Sequence, residues 1–226
     1  MQDEPVVNPI PPLVIAFCLL VVGVELILTA AGAGIIGGPM GIGWRLGAVQ
    51  DYGFSPLVLD RVVQFGDFDL GLLKRFVSYG FVHASFTTAL FAAALLLALG
   101  KFVGDVYSPV AVLIVIIGSL VVGSIAFGIF VAGSAPLIGL FPAIYGLIGA
   151  YTYLIWLTLG ATGENQLKAF QLIGFLLGLQ LVFGLIFGSN SLWIAELAGF
   201  VFGFTVSIVV APGGWTALLN KLRQRD

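Results

Sequence analysis

Six apolar runs, each about twenty residues long, leave few folds open to this chain. They cover Leu13–Ala33, Phe76–Leu99, Val106–Val131, Ala143–Leu159, Ala169–Phe187 and Leu192–Ala211. Hydrocarbon offers the backbone no hydrogen-bond partners, so an uninterrupted apolar run of this length must satisfy its own amides as a helix. Composition agrees: 60% of the 226 residues are hydrophobic, 9% are charged, and the mean hydropathy is +1.13. A soluble domain needs far more surface charge. The expected fold is all-α, a polytopic membrane protein of six helices, forming one domain over 1–226.

The same composition excludes several function classes. A net charge of −2 provides no basic field for nucleic acid. The lone Cys18 sits inside an apolar run and reads as a small packing residue. There is no Cys/His cluster at zinc spacing and no Gly-rich phosphate loop, so neither metal nor cofactor is expected. The opening "MQDEP" is acidic where a signal peptide is basic, and the first run is too long for one, so it is read as a retained helix.

One connection is long. Gly34 to Lys74 carries Trp44, Arg45, Asp51, Tyr52, Asp60, Arg61, Asp67 and Asp69 among apolar residues, the pattern of a loop embedded in the headgroup zone. Within it "SPLVLDRVVQ" predicts a short helix capped by Ser55 with Pro56 in its first turn. Six spans put both termini on one side. Lys221, Arg223 and Arg225, with Lys101 and Lys168, mark that side as cytoplasmic, against Arg45, Arg61, Lys74 and Arg75 opposite.

Three stretches at helix entries carry the functional signal: "KRFVSYGFVHASFTTALFA", "GLFPAIYGLIGAY" and "AELAGFVFGF". Arg75 stands eight residues before His83, the chain's one histidine. Gly139-Leu140-Phe141-Pro142 is followed by Tyr145, Gly146 and Gly149, and Ala195-Glu196-Leu197-Ala198-Gly199 by Gly203. In this order the three resemble the rhomboid family of intramembrane serine proteases. The family's patterns are Trp-Arg…His, Gly-x-Ser-Gly and Ala-His-x-x-Gly-x-x-x-Gly. Lys74 stands where the family has Trp.

The resemblance implies a six-helix bundle with a membrane-embedded first loop. It also implies a Ser nucleophile and a His base on facing helices, the base taking the hydroxyl proton. Here the nucleophile position is Phe141 and the base position is Glu196. The second-helix positions that would donate to an oxyanion are Thr88 and Ala92. One such donor is worth about 2.7–4 kcal/mol in enzymes that use it. Pro142 replaces a Gly and has no N–H to offer. The scaffold positions Arg75, His83, Gly139, Tyr145, Gly199 and Gly203 remain, a pattern that points to a pseudoprotease without catalytic residues.

His83 is then structural, placed with Arg75 to hold the first loop on the bundle. Gly199 and Gly203 form a small-xxx-small pair, expected to pack on the fourth helix rather than to form a dimer contact. Charged residues at the bilayer centre cost about 2.5–3.5 kcal/mol on insertion scales, so Glu25 and Glu196 need partners. For Glu25 a polar side chain within the bundle or a subunit contact is expected. For Glu196 the alternatives are a bond to Tyr145 or Thr88, hydration at the helix mouth, a client anchor, or a proton-linked site. The expected partners are the lipid bilayer and either transmembrane clients or subunits of a membrane complex. The expected location is a bacterial inner membrane. The competing enzymatic reading, a protease with an unorthodox site, needs a nucleophile; Ser78, Ser85 and Ser134 are the candidates considered.

Overall fold

The computed structural model describes residues 9–187 and 191–212. The basic cluster Lys221, Arg223 and Arg225, and Trp215, lie outside the described residues. Five helices are long and apolar enough to cross a membrane: Pro12–Gly32, Phe86–Gly104, Pro109–Phe130, Phe141–Ala161 and Leu192–Val210. A further apolar helix, Gln171–Phe187, has 17 residues and lies fifth in chain order, a length at the short end of what spans the hydrocarbon. These six are called the first to sixth helices below. No strand occurs among the described residues, only one isolated antiparallel bridge, Phe54 to Leu137.

The bundle core is built by the fourth helix, which packs most extensively on the sixth; the sixth packs also on the third, and the first on the second. Glycine and other small residues set these approaches. A Cβ on Gly100 would come within 2.6 Å of Val14, and one on Gly104 within 2.6 Å of Pro11, so the first helix lies directly on the second. Without a hydrophobic driving force between helices in lipid, such close backbone approach is a main source of packing energy.

The second helix begins later than its apolar run suggests. Phe76–Leu99 reads as one span, yet Arg75–Ser78 is a short helix, Tyr79–Phe81 a 3-10 turn, and the span proper starts at Phe86. The start is fixed by a capping box: Ser85 Oγ accepts from the Thr88 N–H at 3.3 Å while the Ser85 N–H donates to Thr88 Oγ1 at 3.2 Å. Thr88 is therefore a cap residue, and His83 sits before the helix rather than in it.

The first loop accordingly runs to Ser85. It contains helices Gly38–Gly41, Trp44–Tyr52, Pro56–Phe65 and Leu70–Leu73 before Arg75–Ser78. The helix predicted after Ser55 is present with Pro56 at its first position, but the Ser55 side chain makes no capping bond. The loop is stitched to the segment entering the fourth helix. Phe54 N–H donates to Leu137 O at 3.1 Å and Leu137 N–H to Phe54 O at 2.7 Å. Phe54, fully buried, packs edge-on against Phe76 and near Tyr79. Ser78 Oγ donates to Tyr52 O at 3.0 Å, and Tyr79 Oη to Leu120 O at 2.9 Å.

Candidate functional site

The fourth helix enters through a glycine that only a glycine suits. Gly139 has φ +98°, and its N–H donates to Tyr79 O at 2.9 Å. The next N–H, on Leu140, donates to His83 Nε2 at 3.4 Å. Phe141 and Pro142 then open the helix. A Cβ on Gly139 would stand 3.5 Å from Phe141 Cδ2 and 3.7 Å from His83 Cδ2, so the phenyl ring and the imidazole both flank this glycine.

His83 is 1% exposed, and its Nδ1 is buried without a hydrogen-bond partner. Neither ring nitrogen meets a serine. Ser78 is spent on Tyr52 O, Ser85 on the capping box, and Ser134 is exposed in the loop before the fourth helix. Burial holds the imidazole below its ordinary pKa, against the opposing pull of the Glu25 carboxylate.

Arg75 and His83 share no hydrogen bond among the described residues. Arg75 Nε is buried without a partner. The residue that ties the loop to the bundle at this level is Arg45, from the helix Trp44–Tyr52. Its Nη1 donates to His83 O at 2.6 Å and to Glu25 Oε2 at 3.0 Å, and its Nη2 to Glu25 Oε1 at 2.6 Å. Thr29 Oγ1 donates to Glu25 Oε1 at 2.8 Å. The buried Glu25 is thus an ion-pair partner inside the bundle. No basic residue lies within the predicted spans to serve it; its partner comes from the loop, 20 residues along the chain.

The sixth helix is locked in register against the fourth by its glycines. A Cβ on Gly199 would overlap the Pro142 carbonyl oxygen, and one on Gly203 the Gly146 carbonyl oxygen. A Cβ on Gly149 would overlap Phe200 O in turn. Ser119 Oγ of the third helix donates to Gly199 O at 3.3 Å. A Cβ on Gly123 would meet both Ala195 O and Pro142 Cβ at 2.9 Å, which sets residues 142 and 195 side by side. Phe141 and Glu196, each one position along, therefore stand at the same end of two adjoining helices. Tyr145 lies one turn deeper in the fourth helix, buried, and Ala92 is fully buried in the second.

Glu196 is 7% exposed. It bonds to neither Tyr145 nor Thr88. Gln180 of the fifth helix donates its Nε2 to Glu196 Oε2. Gln180 carries no signal by periodicity, and its apolar run holds a second amide, Gln171, so nothing in the sequence singles out Gln180 as the partner of Glu196.

A helical bundle whose fourth and sixth helices interlock by small residues, with a glycine-led entry to the fourth and a large first loop stitched over it, has the architecture of an intramembrane protease. The model of the Rhomboid domain matches residues 71–213, more than half of the 226. The chain belongs to the rhomboid family, and so to a family of multi-pass membrane proteins whose usual activity is that of a serine protease. A search of curated proteins finds no match.

Proposed function

We propose that this protein is a non-catalytic rhomboid that binds transmembrane segments of client proteins. The observation that carries the reading is the entry to the fourth helix. Phe141 occupies the nucleophile position, and Pro142 beside it has no N–H to offer. A phenyl ring has no atom that can attack a carbonyl, and His83 Nε2 is occupied by the Leu140 N–H. Glu196, at the base position, is held by Gln180. What is left is a bundle with the family's packing and without its chemistry, and the function retained by such a scaffold is recognition of other membrane helices. In this reading both termini lie on the cytoplasmic side of a bacterial inner membrane, supported by the basic residues Lys221, Arg223 and Arg225; a fluorescent-protein fusion at the C-terminus tests it by its fluorescence.

The experiment for client binding uses photocrosslinkers at exposed positions of the second and fifth helices, Leu90 and Phe175. Adducts with single-span membrane proteins are expected from both. A protein that purifies in mild detergent without any adduct contradicts the reading. Stoichiometric capture of one fixed complex instead of many clients identifies an accessory subunit.

A further inference from the structure

The loop helix Pro56–Phe65 lies directly on the last turns of the third helix. A Cβ on Gly128 would come within 2.6 Å of Leu59 Cδ2, so a glycine here is what permits the close approach. Beside this contact runs a groove of about 350 Å³. Leu59, Val63, Ile125 and Ile129 line it with apolar surface, and Asp60 and Gln64, one helical turn apart, supply its polar lining.

The depth of the groove follows from the span that forms one wall. A helix of 22 residues is about 33 Å long, close to the ~30 Å thickness of the hydrocarbon. Ile125, Gly128 and Ile129 fall in its last two turns, so the groove lies where acyl chains meet headgroups. Val63 and Ile129 are exposed, one from each wall, and the groove is open to lipid between them.

Its polar lining lacks a cation. The half-buried Asp60 carboxylate has one hydrogen-bond partner among the described residues, Gln64 Nε2, which donates to Oδ1 at 3.1 Å. That donor is a neutral amide. Arg61, the neighbouring cation, pairs with Asp67 at 3.6 Å instead. A carboxylate without a counter-charge, beside an apolar trough at headgroup depth, complements a molecule with an N–H-bearing cation at one end and a hydrocarbon chain at the other.

We propose that this groove binds a membrane phospholipid with a primary ammonium headgroup, of the phosphatidylethanolamine type. The ammonium donates to Asp60, and an acyl chain lies along Leu59, Val63, Ile125 and Ile129. The proposal needs only a multi-pass protein in lipid and stands apart from client binding. A primary ammonium carries three N–H donors, whereas choline carries the same charge and none. Because Asp60 is half exposed, the preference for the ammonium over choline is about twofold to fivefold in affinity.

Native mass spectrometry of the full-length protein, delipidated in detergent and titrated with phosphatidylethanolamine or phosphatidylcholine of identical chains, measures this. Tighter binding of phosphatidylethanolamine is expected. Asp60→Asn should bring the two lipids to equal affinity, and Ile129→Trp, which fills the groove from a lipid-facing position, should weaken both. Thermal unfolding checks each variant, and Val63→Trp closes the same groove from the loop helix if Ile129→Trp does not fold. Equal affinities in the unmodified protein, or no adduct with either lipid, overturn the proposal. A preference that survives Asp60→Asn overturns it too, because the ammonium is then held elsewhere. Adducts untouched by the tryptophan place the chain outside the groove and contradict it. A protein dimer lost in Ile129→Trp, in place of any lipid adduct, makes the groove a contact between copies and likewise overturns it.

Discussion

The Arg45 guanidinium grips both oxygens of Glu25, at 2.6 and 3.0 Å, while the same group donates to the His83 carbonyl at 2.6 Å. One side chain thereby joins the first loop, the first helix and the segment entering the second. The Glu25 side chain is 3% exposed and that of Arg45 27%.

Removing Arg45 leaves a carboxylate buried among helices with only Thr29 to serve it. Breaking a buried pair from one side costs about 3–5 kcal/mol, whereas replacing both partners is often nearly neutral. Arg45→Ala is expected to lose about 3 kcal/mol, and Arg45→Met with Glu25→Leu to recover at least half of that. A double-mutant cycle in unfolding free energy measures it. Equal losses for the single and double variants contradict the clamp.

The interlock of the fourth and sixth helices predicts a sharp contrast among glycines. Gly203→Ala forces a methyl into the Gly146 carbonyl. Backbone cannot step aside as a side chain can, so the loss lies at the upper end of overpacking costs, about 3 kcal/mol. Gly178→Ala in the fifth helix meets nothing within 4 Å and should leave stability unchanged. Thermal unfolding in detergent compares the two.

Gly139→Ala is expected to destabilise by about 1–2 kcal/mol through backbone strain alone, because φ +98° disfavours any residue with a Cβ while the surrounding space is ample, the nearest atom being 3.5 Å away. Substitution by d-alanine through semisynthesis restores stability if strain is the cause. A loss unchanged by d-alanine points to packing instead.

His83 predicts a pH dependence with a definite sign. Its native pKa is lowered from 6.5, and Nε2 must stay unprotonated to accept from Leu140. As pH falls through about 6.5 the unfolded chain takes up a proton that the native one resists, so stability declines below that pH and is insensitive to this group above it. Melting temperatures between pH 5 and 8 should show the decline, and His83→Gln should flatten it. An identical slope in the variant assigns the decline to other groups.

Much of this architecture is legible in the sequence because hydrocarbon imposes it. Long apolar runs mark the spans, and the Gly199/Gly203 and Gly146/Gly149 positions mark the closest helix pair. The start of the second helix is not legible by hydropathy, since Phe76 to Phe81 is as apolar as the helix that follows. The Ser85-x-x-Thr88 cap was the available signal. The two polar ties are invisible to periodicity for another reason: Arg45 meets Glu25, and Gln180 meets Glu196, only because the chain folds back. Arg75, legible by motif, has a buried Nε that meets no acceptor.

The central claim is the absence of proteolytic chemistry, and the most direct measurement is incubation of the purified protein in lipid with a transmembrane rhomboid substrate and a fluorophosphonate probe for activated serines. No cleavage and no labelling are predicted, for the unmodified chain and for Ser78→Ala, Ser85→Ala and Ser134→Ala alike. Reproducible cleavage that one of those serine substitutions abolishes contradicts the account.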